Sequence, residues 1–466
     1  MPCILAIDQG THASRAIVFD ADGNEIAKSV REVSLQRQDA GRVEQSAEEL
    51  RTSIDTVVKD VLAQCRGQVF SACGLATQRS TVVGWRADGS ATSPALSWQD
   101  VRASAAIASL ADHAGEIQRI SGLPLSPHYG ASKLHWLMQQ PTAPETDRYS
   151  PLVSYLLYHL LADKPYLVDH CNAQRTQLFD LEQLDWSAQL CAWFGVDRNV
   201  LPTCKPVCHD YGFLENTDIP LTAVSGDQNA ALYGSGSVAQ DTARINLGSG
   251  AFVMRALQHY HTSETQLSGI AVSRADSIIW MREATINGAG SALAWVADTF
   301  KIADSRQCIV DWLTEVKAPP LFINSVGGLG SPWWQSQLAP QFVDSDLSAA
   351  QRIAGVVESI VFMIQANLEI MRAESELSCL RVSGGLSKLD ALCQSLANLS
   401  GLPVERGSEN EATARGIAWL AAGQPGDWRT QAVIDIFKPQ YDASLQSRYA
   451  TAMNVLQAMI RTQEKK

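Results

Sequence analysis

The sequence predicts an α/β protein of two domains whose strand ends are available for ligand binding, and three observations lead there. Short apolar runs alternate with stretches of helical period. A strand–turn–strand pattern rich in glycine and hydroxyls recurs in the two halves. The chain, at 466 residues, also exceeds what one hydrophobic core usually spans. In "ILAIDQGTHASRAIVFD", residues 4–20, the runs at 4–7 and 16–19 read as buried strands. Between them Gly10 allows a tight turn, while Thr11 and Ser14 offer hydroxyls, so the turn presents N–H and O–H donors. "DADGNEI" adds a second turn through Asp22 and Gly23.

Helical spacing follows. Ser46 and Glu49 have the spacing of a capping box ahead of Leu50, Ile54, Val57, Val61 and Leu62. "VFSACGLAT", residues 69–77, is again strand-like. Residues 202–222 hold Pro202, Pro206, Gly212, Asn216, Asp218 and Pro220 without periodicity, which puts a boundary between domains 1–222 and 223–466. Beyond it, "ARINLGSGAFVMRAL" repeats the opening pattern: runs at 245–247 and 251–254 flank Gly248, Ser249 and Gly250. Two such hairpins facing each other across a cleft would hold phosphates from both sides. A helix with Ile353, Val356, Val357, Ile360, Ile364, Leu368 and Met371 on one face comes next, then "LRVSGGLSKLDALCQSLANLSG", a strand ending at Gly384 and Gly385 before another helix. "EATARGIAWLAAG" reads as a close-packed core helix, and "YATAMNVLQAMI" as core or domain cover rather than an interface.

Composition excludes several classes. A net charge of −12 and the lack of a basic strip argue against a nucleic-acid or acidic-membrane surface. The start has no secretory apolar region, and no run near ~20 apolar residues suggests a membrane span. The expectation is a soluble cytoplasmic protein with no nucleic-acid and no membrane partner. Ten scattered cysteines read as reduced thiols, and Cys204, Cys208 and His209 lack the second pair that a zinc site requires.

Six motifs in order, "DQGTHASR", "TQR", "SWQDVR", "SGDQNAALYGSG", "NLGSG" and "VSGG", give the chain a resemblance to the FGGY carbohydrate kinases from Asp8 to Gly385, and it is most similar to the glycerol kinase branch. That resemblance implies the two-domain actin/hexokinase-like ATPase fold, a ribonuclease H-like duplication with the active site in the interdomain cleft. It also implies ATP-dependent phosphorylation of a hydroxyl of a small polyol or sugar, with ATP and Mg2+ as cofactors, and leaves a homodimer or homotetramer open. The other phosphate cradle, GxxxxGK[ST], is absent.

Residue roles follow from the resemblance. Thr11, Ser14 and Arg15 would approach the β and γ phosphates, with Asp8 near the metal; read alone, Asp8 is a turn acid at a strand end. Asp227 would be the general base, and read alone it is a helix N-cap. Arg79, Trp98, Gln228 and Phe252 match the acceptor pocket, where an arginine donates to vicinal hydroxyls and aromatic faces pack on C–H groups. Two positions depart from the family: Ser80 stands for a glutamate and His128 for a tyrosine, which changes the hydrogen bonds offered to a substrate. Gly248, Ser249, Gly288, Gly290, Gly384 and Gly385 match the nucleotide segments, the last pair lying beneath the adenine in relatives. Here too there are departures, at Ala294, Gln335 and Leu389. Two rival readings use the same fold: an actin- or chaperone-like ATPase, and a binding protein without catalysis.

Overall fold

The computed structural model describes residues 2–39, 41–407, 411–426, 428 and 433–463. The opening pattern folds as an antiparallel hairpin, Cys3–Gln9 against Ala13–Phe19, with Asp8 opposite Arg15. Glu25–Glu32 continues the meander, and Phe70–Thr77 and Leu221–Gly226 add in parallel on the other side of Cys3–Gln9. All seven residues of Cys3–Gln9 are buried, as expected of a strand covered on both faces.

The second sheet repeats this order. Thr242–Leu247 and Ala251–Leu257 form its hairpin, Ile278–Ile286 extends it, and Cys379–Ser383 and Val404–Gly407 add in parallel. Leu267–Ser273 and Val433–Phe437 lengthen the two edges. The sequence repeat is therefore a repeat of topology.

Helix Ala47–Gln64 covers one face of the first sheet and is half capped as expected. The Ser46 hydroxyl accepts from the Glu49 N–H at 3.2 Å, but the Glu49 carboxylate turns away to take the Ser34 N–H and hydroxyl. Helix Ala412–Ala421 covers the opposite face. Its glycine and alanine content has a steric reason: a Cβ on Gly416 would stand 1.9 Å from the Ala230 carbonyl oxygen.

The boundary expected at residue 222 falls inside the strand Leu221–Gly226, which completes the first sheet. The Pro- and Gly-rich passage before it is the approach to that strand, and the second sheet starts at Thr242. Helix Ala412–Ala421 also returns from the second half to the first core.

A second core surrounds helix Ala349–Glu374. By length and composition that helix could cross a membrane, yet 89% of its apolar window is buried within the protein. Leu445, Tyr449, Ala452 and Leu456 of helix Ala443–Gln463 pack into the same core. Every cysteine is free, and among the described residues no three His, Cys, Asp or Glu side chains form a metal-binding group.

Candidate active site

Register explains why residues distant in sequence meet. Gln9 and Gly226 both pair with Thr77, so the three parallel strands end side by side. The residues that leave them emerge at one sheet edge, as ligand-binding residues do in open α/β sheets. Asp8, Arg79 and Asp227 are brought together in this way.

Asp8 is buried and faces Arg15, whose Nη1 lies 3.5 Å from Oδ2. Glu411, at the start of the returning helix, lies 3.6 Å from Arg15 Nε and also pairs with Lys28. Burial pushes the Asp8 carboxyl up to about 7; Arg15 opposes the shift, and the Asp227 and Glu411 carboxylates add to it.

Asp227 is the first residue of helix Asp227–Ala231, and Gly226 before it occupies the N-cap position. Its Oδ1 accepts from the Gln228 N–H at 2.7 Å and lies 3.5 Å from Arg79 Nε. The side chain keeps 27% of its surface open. Protein surrounds the remainder, and burial raises its proton affinity against the pull of Arg79.

Arg79 is more enclosed than a substrate-facing arginine would be. It donates to both oxygens of Glu283, at 2.8 and 3.2 Å, and to Asn229 Oδ1 at 3.1 Å. Arg175 Nη2 reaches the same Glu283 at 2.5 Å. Against burial, which acts to raise it, Arg175 and Arg79 hold the Glu283 carboxyl down to about 2. Much of the Arg79 fork, expected to meet substrate hydroxyls, is thus spent on a buried ion pair between the halves. Sequence reasoning missed Glu283 and Arg175, although an acid inside the apolar run "IIWMREATI" is the kind of residue that stays buried only with a partner.

Of the other residues expected in an acceptor pocket, Trp98, Ser80 and His128 lie on three loops, Gln228 on helix Asp227–Ala231 and Phe252 on strand Ala251–Leu257. The Trp98 ring is 39% exposed, and its Nε1 donates to Thr11 Oγ1 at 3.0 Å, which ties this wall to the first turn. The Ser80 hydroxyl donates to the Arg175 carbonyl at 3.2 Å. His128 is exposed, with Nδ1 3.0 Å from Ser126 Oγ; the protein around it, and then Lys133, push its imidazole down to about 4. Gln228 accepts from Asn246 Nδ2 at 3.4 Å, and Phe252 stands opposite Asn246 on the neighbouring strand.

Ser14 corrects the sequence reading. It is fully buried, and its hydroxyl lies 2.7 Å from that of Ser53 in helix Ala47–Gln64. Alternation along the strand sends Arg15 to the returning helix and Ser14 to the opposite layer, so this hydroxyl is no phosphate donor.

The second turn is held by its own backbone. Ala289 and Ser291 donate N–H bonds to the Ser249 carbonyl, and Gly290 donates to that of Gly248, at 2.9–3.0 Å. Gly290 therefore backs Gly248 at the start of helix Gly290–Thr299, while the Gly288 carbonyl accepts from Asn324 Nδ2 at 2.8 Å. Gly384 has φ 89°, and a Cβ there would stand 2.6 Å from the Leu247 carbonyl oxygen. The hairpin strand alone demands that glycine, whereas Gly385 faces open space.

Comparison with known proteins fits this geometry. Residues 3–234 match the N-terminal domain, and residues 243–424 the C-terminal domain, of the FGGY family of carbohydrate kinases. A glycerol kinase of Petrotoga mobilis is 30% identical, over 92% of this chain and 91% of its own length. One of Alcanivorax borkumensis is 31% identical, over 90% and 89%. The crystal structure of Plasmodium falciparum glycerol kinase with ADP superposes with a TM-score of 0.89 at 22% identity, covering 99% of this chain and 98% of that one. A gluconate kinase from Lactobacillus acidophilus gives 0.88 at 18% identity, over 98% of both chains.

Proposed function

The chain belongs to the FGGY family of carbohydrate kinases and is an ATP-dependent sugar or polyol kinase of the glycerol kinase type; from that premise we propose that Asp227 is the base that deprotonates the acceptor hydroxyl. The observation that carries this is its position: a carboxylate fixed at a helix start, open to the cleft, beside Arg79, with its proton affinity raised by burial. The acceptor oxygen forms its bond to the γ-phosphorus as the bond to the bridging oxygen breaks. The acceptor proton passes to Asp227, and ADP leaves with the electron pair.

The other residues position and neutralise. Arg15 and Thr11 at the first turn face the β and γ phosphates, while the 248–250 turn, backed by the N–H groups of residues 289–291, receives the nucleotide from the other half. Asp8 is the side chain that would hold magnesium, which, when bound, neutralises phosphate charge. Asp8 suits a divalent cation because it is a buried carboxylate whose proton affinity is raised first by burial and then by the Asp227 and Glu411 carboxylates, so a bound cation would be favoured there.

Trp98, His128 and Ser80 frame the acceptor, with Phe252 and Gln228 on the far side. The Ser80 side chain is short and turned to a backbone carbonyl, which leaves room for a polyol or sugar longer than glycerol. The test is ATP consumption with glycerol, erythritol, ribitol, xylulose, ribulose and gluconate, run beside Asp227→Asn. One compound should stimulate turnover, and the variant should lose roughly 100-fold or more. Turnover that the variant leaves unchanged would remove Asp227 from the role, and indifference to every compound would remove the pocket assignment.

A further inference from the structure

Lys133, on helix Gly130–Met138, is fully buried and lies outside the roles assigned above. Its Nζ donates to three backbone carbonyls: Ser80 at 2.7 Å, His128 at 2.9 Å and Ser97 at 3.0 Å. Burial pulls the Lys133 amine down to about 7, yet three carbonyl oxygens around one nitrogen call for all three N–H bonds of the ammonium, which is then saturated by main chain and keeps no donor for a ligand. The three carbonyls belong to loops far apart in sequence. Those loops carry Arg79 and Ser80, Trp98, and His128, the acceptor side of the cleft.

Two further features show that this anchor is rigid. The Gly130 and Ala131 N–H groups donate to the Arg175 and Thr176 carbonyls, at 3.2 and 2.6 Å, which fixes the helix start. Ser80 has φ 62°, a conformation that a non-glycine residue keeps only where its surroundings hold it. Its carbonyl is held by Lys133 and its hydroxyl by the carbonyl of Arg175.

We propose that Lys133 is a positioning residue for the acceptor: one buried ammonium sets the mutual spacing of the three loops that receive the polyol or sugar. The proposal rests on the kinase reading above. It bears on the acceptor before ATP, because the 248–250 and 288–290 segments make no bond to Lys133 and the first turn is linked to it only through the Trp98–Thr11 bond.

The experiment compares wild type with Lys133→Met, which keeps an unbranched apolar stem one atom shorter and removes every donor. The KM for the stimulating acceptor should rise at least tenfold while the KM for ATP stays within twofold, and Lys133→Gln, with two donors, should fall between. A purely structural lysine would lower the melting temperature and the active fraction with both KM values unchanged, and that result overturns the proposal, as does an equal rise in both. If Lys133→Met is insoluble, Lys133→Gln is read by the same criterion; failure of both to fold makes the ammonium a requirement of the fold and also overturns the assignment. A wild type that no acceptor stimulates overturns this proposal together with the acceptor-pocket reading. An active wild type whose soluble variants keep the acceptor KM overturns this one alone.

Discussion

The two hairpin turns occupy equivalent places in a repeated topology, yet only one carries charge. At the first, Asp8 and Arg15 stand opposite each other, and Glu411 and Lys28 extend the network. At the second, Leu247 stands opposite Ala251, and no charged residue lies between 245 and 254. That turn is shaped by glycine and held by bonds from residues 289–291 to its carbonyls. Duplication supplied two like turns, and the sequence has made them unlike: electrostatics on one side, backbone shape on the other.

Asp8→Asn strikes the charged side and should have the largest effect. Acceptor-stimulated ATP consumption at saturating magnesium should fall roughly 100-fold or more, the scale of losing a preorganised charge at the reacting phosphate. Stability should move the other way. With the folded carboxyl near 7 and its unfolded value near 3.8, the folded state binds the extra proton between those values. Stability from this group is therefore full below about 4 and is lost as pH rises to about 7. Without nucleotide or divalent cation, the variant should gain melting temperature relative to wild type at pH 8, and gain less at pH 5. An equal difference at both pH values would show that burial does not raise the proton affinity of Asp8.

Gly384→Ala tests the shape side. A methyl group pressed against the Leu247 carbonyl oxygen, at φ 89°, should cost about 1–3 kcal/mol of stability, read by denaturant melting. A neutral result would mean that the hairpin strand yields easily.

This contrast also marks what the sequence made legible. Period, turn residues and ordered motifs were enough for both hairpins, for Asp227 at a helix start, and for the duplicated α/β fold. They could not show which face of a strand each turn residue would take. Ser14 reads as a donor beside Thr11, but in an extended strand neighbouring side chains point to opposite layers, and Ser14 falls on the helix side. Tertiary partners were equally hidden. Arg79 looks free to meet a substrate until Glu283, 204 residues away, is seen to hold it. The returning helix Ala412–Ala421 reads as core, and only the fold shows that it is the core of the other half. Long-range pairing of this kind leaves a local trace only as an acid in an apolar run or a glycine in a helix.

Ser14→Ala and Ser249→Ala then separate a buried hydroxyl from an exposed one. Losing Ser14 removes one buried hydrogen bond, while the Ser53 hydroxyl keeps its bond to the Leu50 carbonyl. The cost should be about 1 kcal/mol of stability, with kcat and both KM values unchanged. A raised KM for ATP there would return Ser14 to the phosphate site.

Ser249→Ala should have the smallest effect on stability. The Ser249 carbonyl is held by the N–H groups of Ala289 and Ser291 and by the Ser291 hydroxyl, so the turn keeps its shape without the side chain. A bond from a solvent-exposed hydroxyl to a phosphate sits at the low end of the about 1.5–3 kcal/mol of charge-assisted bonds, so the KM for ATP should rise about tenfold, with the melting temperature unmoved. A loss approaching that of Asp8→Asn would mean that a side chain, and not the backbone, does the binding at the second turn. The division of labour between the two turns would then fail at its second half, and the duplicated hairpins would have to be read as chemical equivalents.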